Sequence, residues 1–159
     1  MKIRSEHPRD FSAIHALHAG AFETDAEARL VDALRADGDA VFSLVMEEAN
    51  AIIGHVMFSR LCAPLPALAL APIAVSAKHR AKGVARDLIV EGVDRSRAAG
   101  EGAVFVLGDP GYYERFGFAA DTAVGFECAY SGPYLMALML GDTPARTGVL
   151  TYPPAFAGL

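Results

Sequence analysis

Apolar residues recur every three or four positions in three stretches of the chain, and alternate or run together in six others. The three periodic stretches predict helices. From Pro8 to about Phe22 the apolar face is Phe11, Ile14, Leu17, His18 and Ala21. A second helix holds Ala28, Val31, Ala33 and Leu34, with Thr24 and Asp25 as its caps and Gly38 as its stop. A third runs from Gly83 to about Ala99 on Val84, Leu88, Ile89 and Val93, and ends at Gly100 and Gly102. The other stretches predict strands. They are Lys2–Arg4, Ala40–Met46, Ala51–Phe58, Leu65–Val75, Ala103–Leu107 and a last one over Tyr134–Leu140. The polar turn Glu47-Glu48-Ala49-Asn50 joins the second and third strands as an antiparallel hairpin. Gly108-Asp109-Pro110-Gly111 reads as a turn leading into an aromatic run from Tyr112 to Phe118. The tail, with Pro144, Pro153 and Pro154, reads as extended from about residue 141.

The fourth strand, the charged stretch Lys78–Lys82, the third helix and the fifth strand form a βαβ unit, whose strands pair in parallel by a right-handed crossover. Antiparallel strands before it make the sheet mixed. The class is α/β or α+β, and 159 residues suit one domain over 1–159.

Composition narrows the function. With 53% apolar and 21% charged residues the chain is of globular type, and at this length it can bury roughly 70% of its unfolded surface without a disulfide or metal staple. No apolar run approaches the ~20 residues of a membrane span, and the N-terminus has no apolar segment of a secretory signal. Cys62 and Cys128 lie far apart, which excludes a CxxC motif and fits a reducing compartment; the expected location is the cytoplasm. A net charge of −5 argues against a nucleic-acid partner. Yet four of the fourteen basic residues, Lys78, Arg80, Lys82 and Arg86, fall within nine positions. One tight basic cluster on an acidic chain points to a local anion site.

The cluster lies where a strand passes through a loop into a helix. The first turn of a helix has unpaired N–H groups and the positive end of the dipole, and both favour phosphate. Gly83 would let the backbone approach an anion, and Ala85 keeps the next position small. The competing reading is an ordinary connection with a solvated basic face. No GxxxxGK[ST] or GxGxxG run occurs, so a nucleotide P-loop and a dinucleotide fingerprint are both excluded. Pro72 removes a ladder donor and belongs at a bulge, where pairing stops, or on an edge strand. If pairing stops there, Ile73, Ala74 and Val75 expose backbone groups that can pair with an amide-bearing arm, as an added strand does.

Arg80-Ala81-Lys82-Gly83-Val84-Ala85 resembles the Arg/Gln-x-x-Gly-x-Gly/Ala motif of the GNAT superfamily of N-acetyltransferases, in the family's place between the fourth strand and the third helix. Tyr113-Glu114-Arg115-Phe116-Gly117-Phe118 is similar to its later Tyr-x-x-x-Gly-Phe signature, and the order of elements from Ile3 to about Leu140 agrees. The resemblance implies a single domain with a mixed, mostly antiparallel sheet, a splayed central βαβ unit and helices on both faces. It implies acetyl-CoA as cosubstrate, no metal, and transfer of acetyl to a primary amine on a small molecule, peptide or protein. Ile73, Ala74 and Val75 would hold pantetheine, with the Val75 N–H facing the thioester oxygen. The backbone of Ala81, Lys82, Gly83, Val84, Ala85 and Arg86 would hold the pyrophosphate, with the charge of Arg80, Lys82 and Arg86 around it. Tyr113 would be the general acid. Many members carry an Asn after the fifth strand and a longer fourth helix. Here Gly108–Tyr113 is compressed, so Tyr112 is the other candidate.

These parts match acyl transfer, which needs a donor for the oxyanion and a proton for the departing thiolate. An aromatic residue that merely packs is the other reading of Tyr113. His15 and His18 share a helix face but lack a third metal ligand, and His55 reads as a satisfied structural histidine. Glu47 and Glu48 read as a solvated turn, although a carboxylate there could deprotonate an amine through water. Neither cysteine is placed as an acyl carrier, so direct transfer is favoured over a covalent intermediate. The alternatives are a non-catalytic module that binds an acyl-CoA, or a transferase for a longer acyl chain. A homodimer stays open.

Overall fold

A computed structural model describes residues 1–142 and 145–159, so Pro144 lies outside the described residues. Strands β1 (Lys2–Ser5), β2 (Ala40–Glu48), β3 (Ala51–Leu61), β4 (Ala67–Val75), β5 (Ala103–Leu107), β6 (Phe126–Glu127), β7 (Leu135–Met139) and β8 (Gly148–Val149) alternate with helices α1 (Phe11–Ala21), α2 (Ala26–Ala36), α3 (Val84–Ala98), α4 (Pro110–Tyr113) and α5 (Ala120–Ala123). Six strands hydrogen-bond in the order β1-β2-β3-β4-β5-β7, and β6 pairs with β8 apart from them. The sheet is mixed and mostly antiparallel, with β4–β5 parallel. Among the described residues no helix is long and apolar enough to cross a membrane.

The chain divides into two compact units. The first comprises Met1–Ser59, Ala71–Gly92 and Pro154–Leu159. Its hairpin is tighter than the polar turn predicts: β2 runs through Glu48, and only Ala49 and Asn50 form the loop, both with positive φ (51° and 64°). Two left-handed residues in a two-residue loop match the right-handed twist of the strands they join. On β3, Gly54 and His55 point to opposite faces, as neighbours on a strand must. His55 meets His18 of α1, whereas Gly54 lies under Val84 and Leu88 of α3. Helices thus cover both faces of this strand. A methyl group added at Gly54 would lie 2.6 Å from Val84 Cγ1, and one added at Gly92 of α3 would run into the ring of Phe58. Two glycines, one on each partner, let the helix sit close to the strand.

The second unit comprises Arg60–Leu70 and Val93–Pro153. Its core is the buried run Ala103–Val106 between the first half of β4, which pairs in parallel over Ala67–Ala69, and β7, which pairs antiparallel along all of β5. Phe105 meets Phe126 edge-on at 5.1 Å. Arg60 clamps the nine-tenths buried Glu101 with two hydrogen bonds of 2.6 and 2.8 Å.

Two expectations need correction. The strand over 135–139 is not the last, because Gly148–Val149 forms β8, and Thr151 bridges to Cys62. Nor is the tail uniformly extended. Pro154–Gly158 forms a 3-10 turn that buries Phe156 and packs on α2, because a proline at a first helical position costs no N–H bond. The aromatic run after Asp109 also begins helically, as α4 and a 3-10 turn over Glu114–Phe116.

Candidate functional site

In the second unit the β4–β5 ladder ends at Ala69, three residues before Pro72, and the Ala71–Pro72 peptide is cis. In the first unit Ser76 donates its N–H to Ile53 O at 2.8 Å, so this residue uses the β3 side. Alternate residues of a strand turn their N–H and C=O to opposite sides. Val75 and Ile73 therefore turn theirs to the edge away from β3, and Ala74, whose carbonyl lies near Gly54, turns toward it. Of the three residues singled out here, two present backbone to the outer edge.

Beyond β4 a 3-10 turn covers Ala77–His79, Arg80 is extended, and Ala81 and Gly83 both take positive φ (61° and 81°) before α3 begins at Val84. A left-handed alanine costs about 1–2 kcal/mol, and such strain gathers at ligand sites. Asp87 N–H returns to Gly83 O at 3.0 Å, the first bond of the helix, which leaves the N–H groups of Val84, Ala85 and Arg86 without helical partners. A methyl group at Gly83 would lie 2.7 Å from the Arg86 guanidinium, so the glycine also lets that side chain fold over the loop. Arg86 is held by Asp87 at 3.1 Å, which the sequence reading did not anticipate. Among the described residues no ion pair engages Lys78, Arg80 or Lys82.

Still within the first unit, a cavity of about 850 Å³ opens beside this loop. Val75, Ser76, Ala77 and Arg80 form one wall, the exposed side of α1 another, and the β2–β3 turn a third. The turn carboxylates are not simply solvated, contrary to expectation. Glu47 meets Arg4 at 3.4 Å, and Arg4 also holds Asp10 by hydrogen bonds of 2.7 and 3.1 Å. That hydrogen bonding carries the Asp10 carboxyl down to about 2, against the opposing effect of its burial. Glu48 accepts from His79 Nε2 at 2.8 Å, and His79 Nδ1 lies 2.6 Å from Ser76 Oγ. Sequence reading put Glu48 in a turn and His79 in a basic cluster and missed this connection. Its one legible sign was the spacing of Ser76 and His79.

His15 pairs with Asp32 and His18 with His55, so the two do not converge on a common point. No group of three or more His, Cys, Asp or Glu placed to hold a metal occurs among the described residues. His55 is structural, as expected, bonded to His18 and Ser43. Cys62 and Cys128 are both free thiols.

Tyr113 belongs to the second unit. Asp109 caps its helical turn by accepting the Gly111 N–H at 3.0 Å. The ring lies on Gly108, where a methyl group would be 2.6 Å from Cε2. It meets Tyr112 and Phe118 edge-on. Burial, and secondarily the neighbouring Tyr112, push its hydroxyl up to about 12, so it keeps its proton through the physiological range. The hydroxyl has no protein partner among the described residues. The Tyr112 ring instead lies beneath the Arg115 guanidinium, 4.6 Å from its centroid.

A family model described as an acetyltransferase (GNAT) domain matches residues 2–120. An uncharacterized N-acetyltransferase of Escherichia coli K12, YhbS, is 41% identical over 136 residues, covering 83% of this chain and 81% of that protein. The crystal structure of Escherichia coli YhbS in complex with CoA superposes with a TM-score of 0.92 at 37% identity, over 98% of this chain and 91% of the other. A GNAT acetyltransferase of Brucella melitensis in complex with acetyl-CoA gives 0.82 at 32% identity, over 98% and 97%.

Proposed function

The chain belongs to the GNAT family of acetyltransferases, and from that premise we propose that it moves an acetyl group from acetyl-CoA to a primary amine by direct attack of the amine on the thioester. The observation that carries the coenzyme assignment is the β4–α3 loop, which combines two left-handed residues, N–H groups without helical partners at the start of a fifteen-residue helix and three cations without ion pairs among the described residues. These are the parts an anion of two linked phosphates needs. The structures of two relatives with CoA and acetyl-CoA support the choice of ligand.

In this reading acetyl-CoA supplies an activated carbonyl. The outward-turned backbone of Ile73 and Val75 binds the pantetheine amides as an added strand would, with Ala74 between them. The Val75 N–H is the donor set in advance for the carbonyl oxygen. The N–H groups from Ala81 to Arg86 take the pyrophosphate, helped by the charge of Arg80 and Lys82. Tyr113 holds the proton that the departing thiolate needs. One feature favours it: among the described residues its hydroxyl has no protein partner. We read residues 1–159 as one acetyltransferase domain. The free cysteines favour a reducing compartment such as the cytoplasm.

Two measurements test this. Acetyl-CoA at 100 times its dissociation constant should stabilise the protein by about 2.7 kcal/mol. Gly83→Glu, with a carboxylate in the loop, should abolish that shift while keeping the circular dichroism of the parent. With an accepting amine found by thiol release, Tyr113→Phe should lower single-turnover rates by ~10²–10⁴ and leave acetyl-CoA affinity nearly unchanged. Full rate in Tyr113→Phe beside a crippled Tyr112→Phe would move the acid by one residue. Coenzyme binding with no thiol release from any amine would leave only a binding module.

A further inference from the structure

Ser76, His79 and Glu48 form a continuous chain, with the partly exposed Glu48 carboxylate at one end and, at the other, Ser76, which lines the 850 Å³ cavity beside Arg80. The proton positions follow from the chemistry of the partners. The Glu48 carboxylate can only accept, so His79 Nε2 carries a hydrogen in every state. That leaves two arrangements at the 2.6 Å contact between His79 Nδ1 and Ser76 Oγ. With a neutral imidazole, the serine proton is spent on Nδ1 and the hydroxyl offers the cavity only lone pairs. With an imidazolium, Nδ1–H donates to Oγ, and the serine proton is released toward the cavity.

A hydroxyl that shows lone pairs repels an anionic oxygen, and one that shows a proton binds it. We propose that Ser76 is an anion-binding hydroxyl of this site whose capacity to donate is set by the protonation of His79, so that binding of the coenzyme's phosphates is coupled to uptake of a proton. This rests on the reading of the loop as the coenzyme's anion site. Histidine is the side chain that changes charge near neutrality, and Glu48 supplies the counter-charge for the imidazolium. The other charges that line this cavity are Arg80 on the same loop, Glu47 on β2, and Arg4, Arg9 and Asp10 across from them, while Lys78 and Lys82 flank His79 in sequence. Arg4, Asp10 and Glu47 are tied to one another. Since His79 acts on the ligand only through Ser76, it is a positioning residue.

Proton uptake is measured by calorimetric titration with CoA in two buffers of different ionisation enthalpy near neutral pH, with inorganic pyrophosphate as a second probe. The wild-type protein should take up to about one proton more per ligand than His79→Asn. Its affinity should weaken by up to about tenfold per pH unit as His79 loses its proton. Ser76→Ala, which leaves the His79–Glu48 pair intact, should bind more weakly and lose most of the uptake. Glu48→Gln keeps an acceptor but not the charge, and should move the pH of greatest uptake downward; an unmoved profile overturns the proposal if His79→Asn proves unfolded. Equal proton counts in wild type and His79→Asn overturn the proposal. Undiminished uptake in Ser76→Ala overturns it too, since the imidazole would then respond to the ligand's field alone. Uptake with pyrophosphate but no binding of CoA would uphold this inference and defeat the coenzyme reading, whereas binding of neither defeats both.

Discussion

The first unit contains a second chain of the same three residue types. Ser43 of β2 lies between His55 of β3 and Glu6, just past β1, and Ser76, His79 and Glu48 form the chain that reaches the cavity through Ser76. In the first chain the serine is in the middle. Glu6, already held by Arg35 at 2.8 and 2.9 Å, accepts the Ser43 proton at 2.6 Å. Ser43 Oγ must therefore accept from His55 Nε2, and His55 Nδ1 must accept from His18 Nε2. Every proton has one place, both imidazoles are neutral, and His18 Nδ1 is left buried without a partner. In the second chain the histidine is in the middle and is one-fifth exposed, against none for His55. A proton can then arrive from solvent and reverse the bond to the serine. Order along the chain and access to water, not residue type, separate a locked network from a responsive one.

The comparison is broken most directly at the histidines. His55→Ala should cost about 2–5 kcal/mol, since it opens a hole and strands Ser43 and His18. His79→Ala should stay within about 1 kcal/mol, as expected of a half-exposed pair. Urea melts of the two variants decide this, and similar losses would erase the distinction.

Acid comes next. Burial is the main cause that pushes His18 down to about 4, with His15 adding to it and Asp32 opposing, and His55 is held well below its ordinary value by burial and by His18. The folded protein thus refuses a proton that the unfolded chain accepts at about 6.5. Stability from His18 is complete above the unfolded value and is lost as pH falls toward about 4, on the order of 3 kcal/mol in all. Melting temperatures across that window should fall steeply in the parent and less steeply in His18→Gln.

The serines give the smallest effect. Ser43→Ala leaves the buried His55 Nε2–H without an acceptor and should cost about 1–3 kcal/mol. Ser76→Ala should be within about 0.5 kcal/mol, because water can replace its hydroxyl. Melting curves of the pair without ligand measure the difference.

Neither chain was legible in the sequence, although most of their surroundings were. Ala103–Leu107 was read with its observed bounds, since a five-residue apolar run with Val104, Phe105 and Val106 at its centre, flanked by glycines, admits little else. The basic loop and α3 were legible because Gly83 interrupts charge and begins an apolar period. His55 was recognised as structural from its place in an apolar strand, but its partners lie on other elements, and separations of 37 and 12 residues leave no local trace. The same holds for Glu48 and His79, 31 residues apart. The two-residue strands β6 and β8 were missed because a run that short has no period to detect. Tyr113 was found through a signature and Tyr112 as its neighbour; that one ring packs on Gly108 and the other beneath Arg115 is set by the fold.

The two glycines between α3 and β3 have a consequence for evolution and for engineering. Gly54 and Gly92 work as a gauge block, setting how deep the helix seats, and the first turn of that helix is the floor of the loop proposed to hold the coenzyme's phosphates. A single methyl at Gly54 would lift Val84, and with it the neighbouring N–H groups, by some tenths of an ångström without touching any ligand. If that loop holds the coenzyme as proposed, its affinity is heritable at a position no inspection of the loop would suggest. A library aimed at altering acyl-donor preference should hold Gly54 and Gly92 constant, or vary them on purpose as a coarse adjustment made from behind.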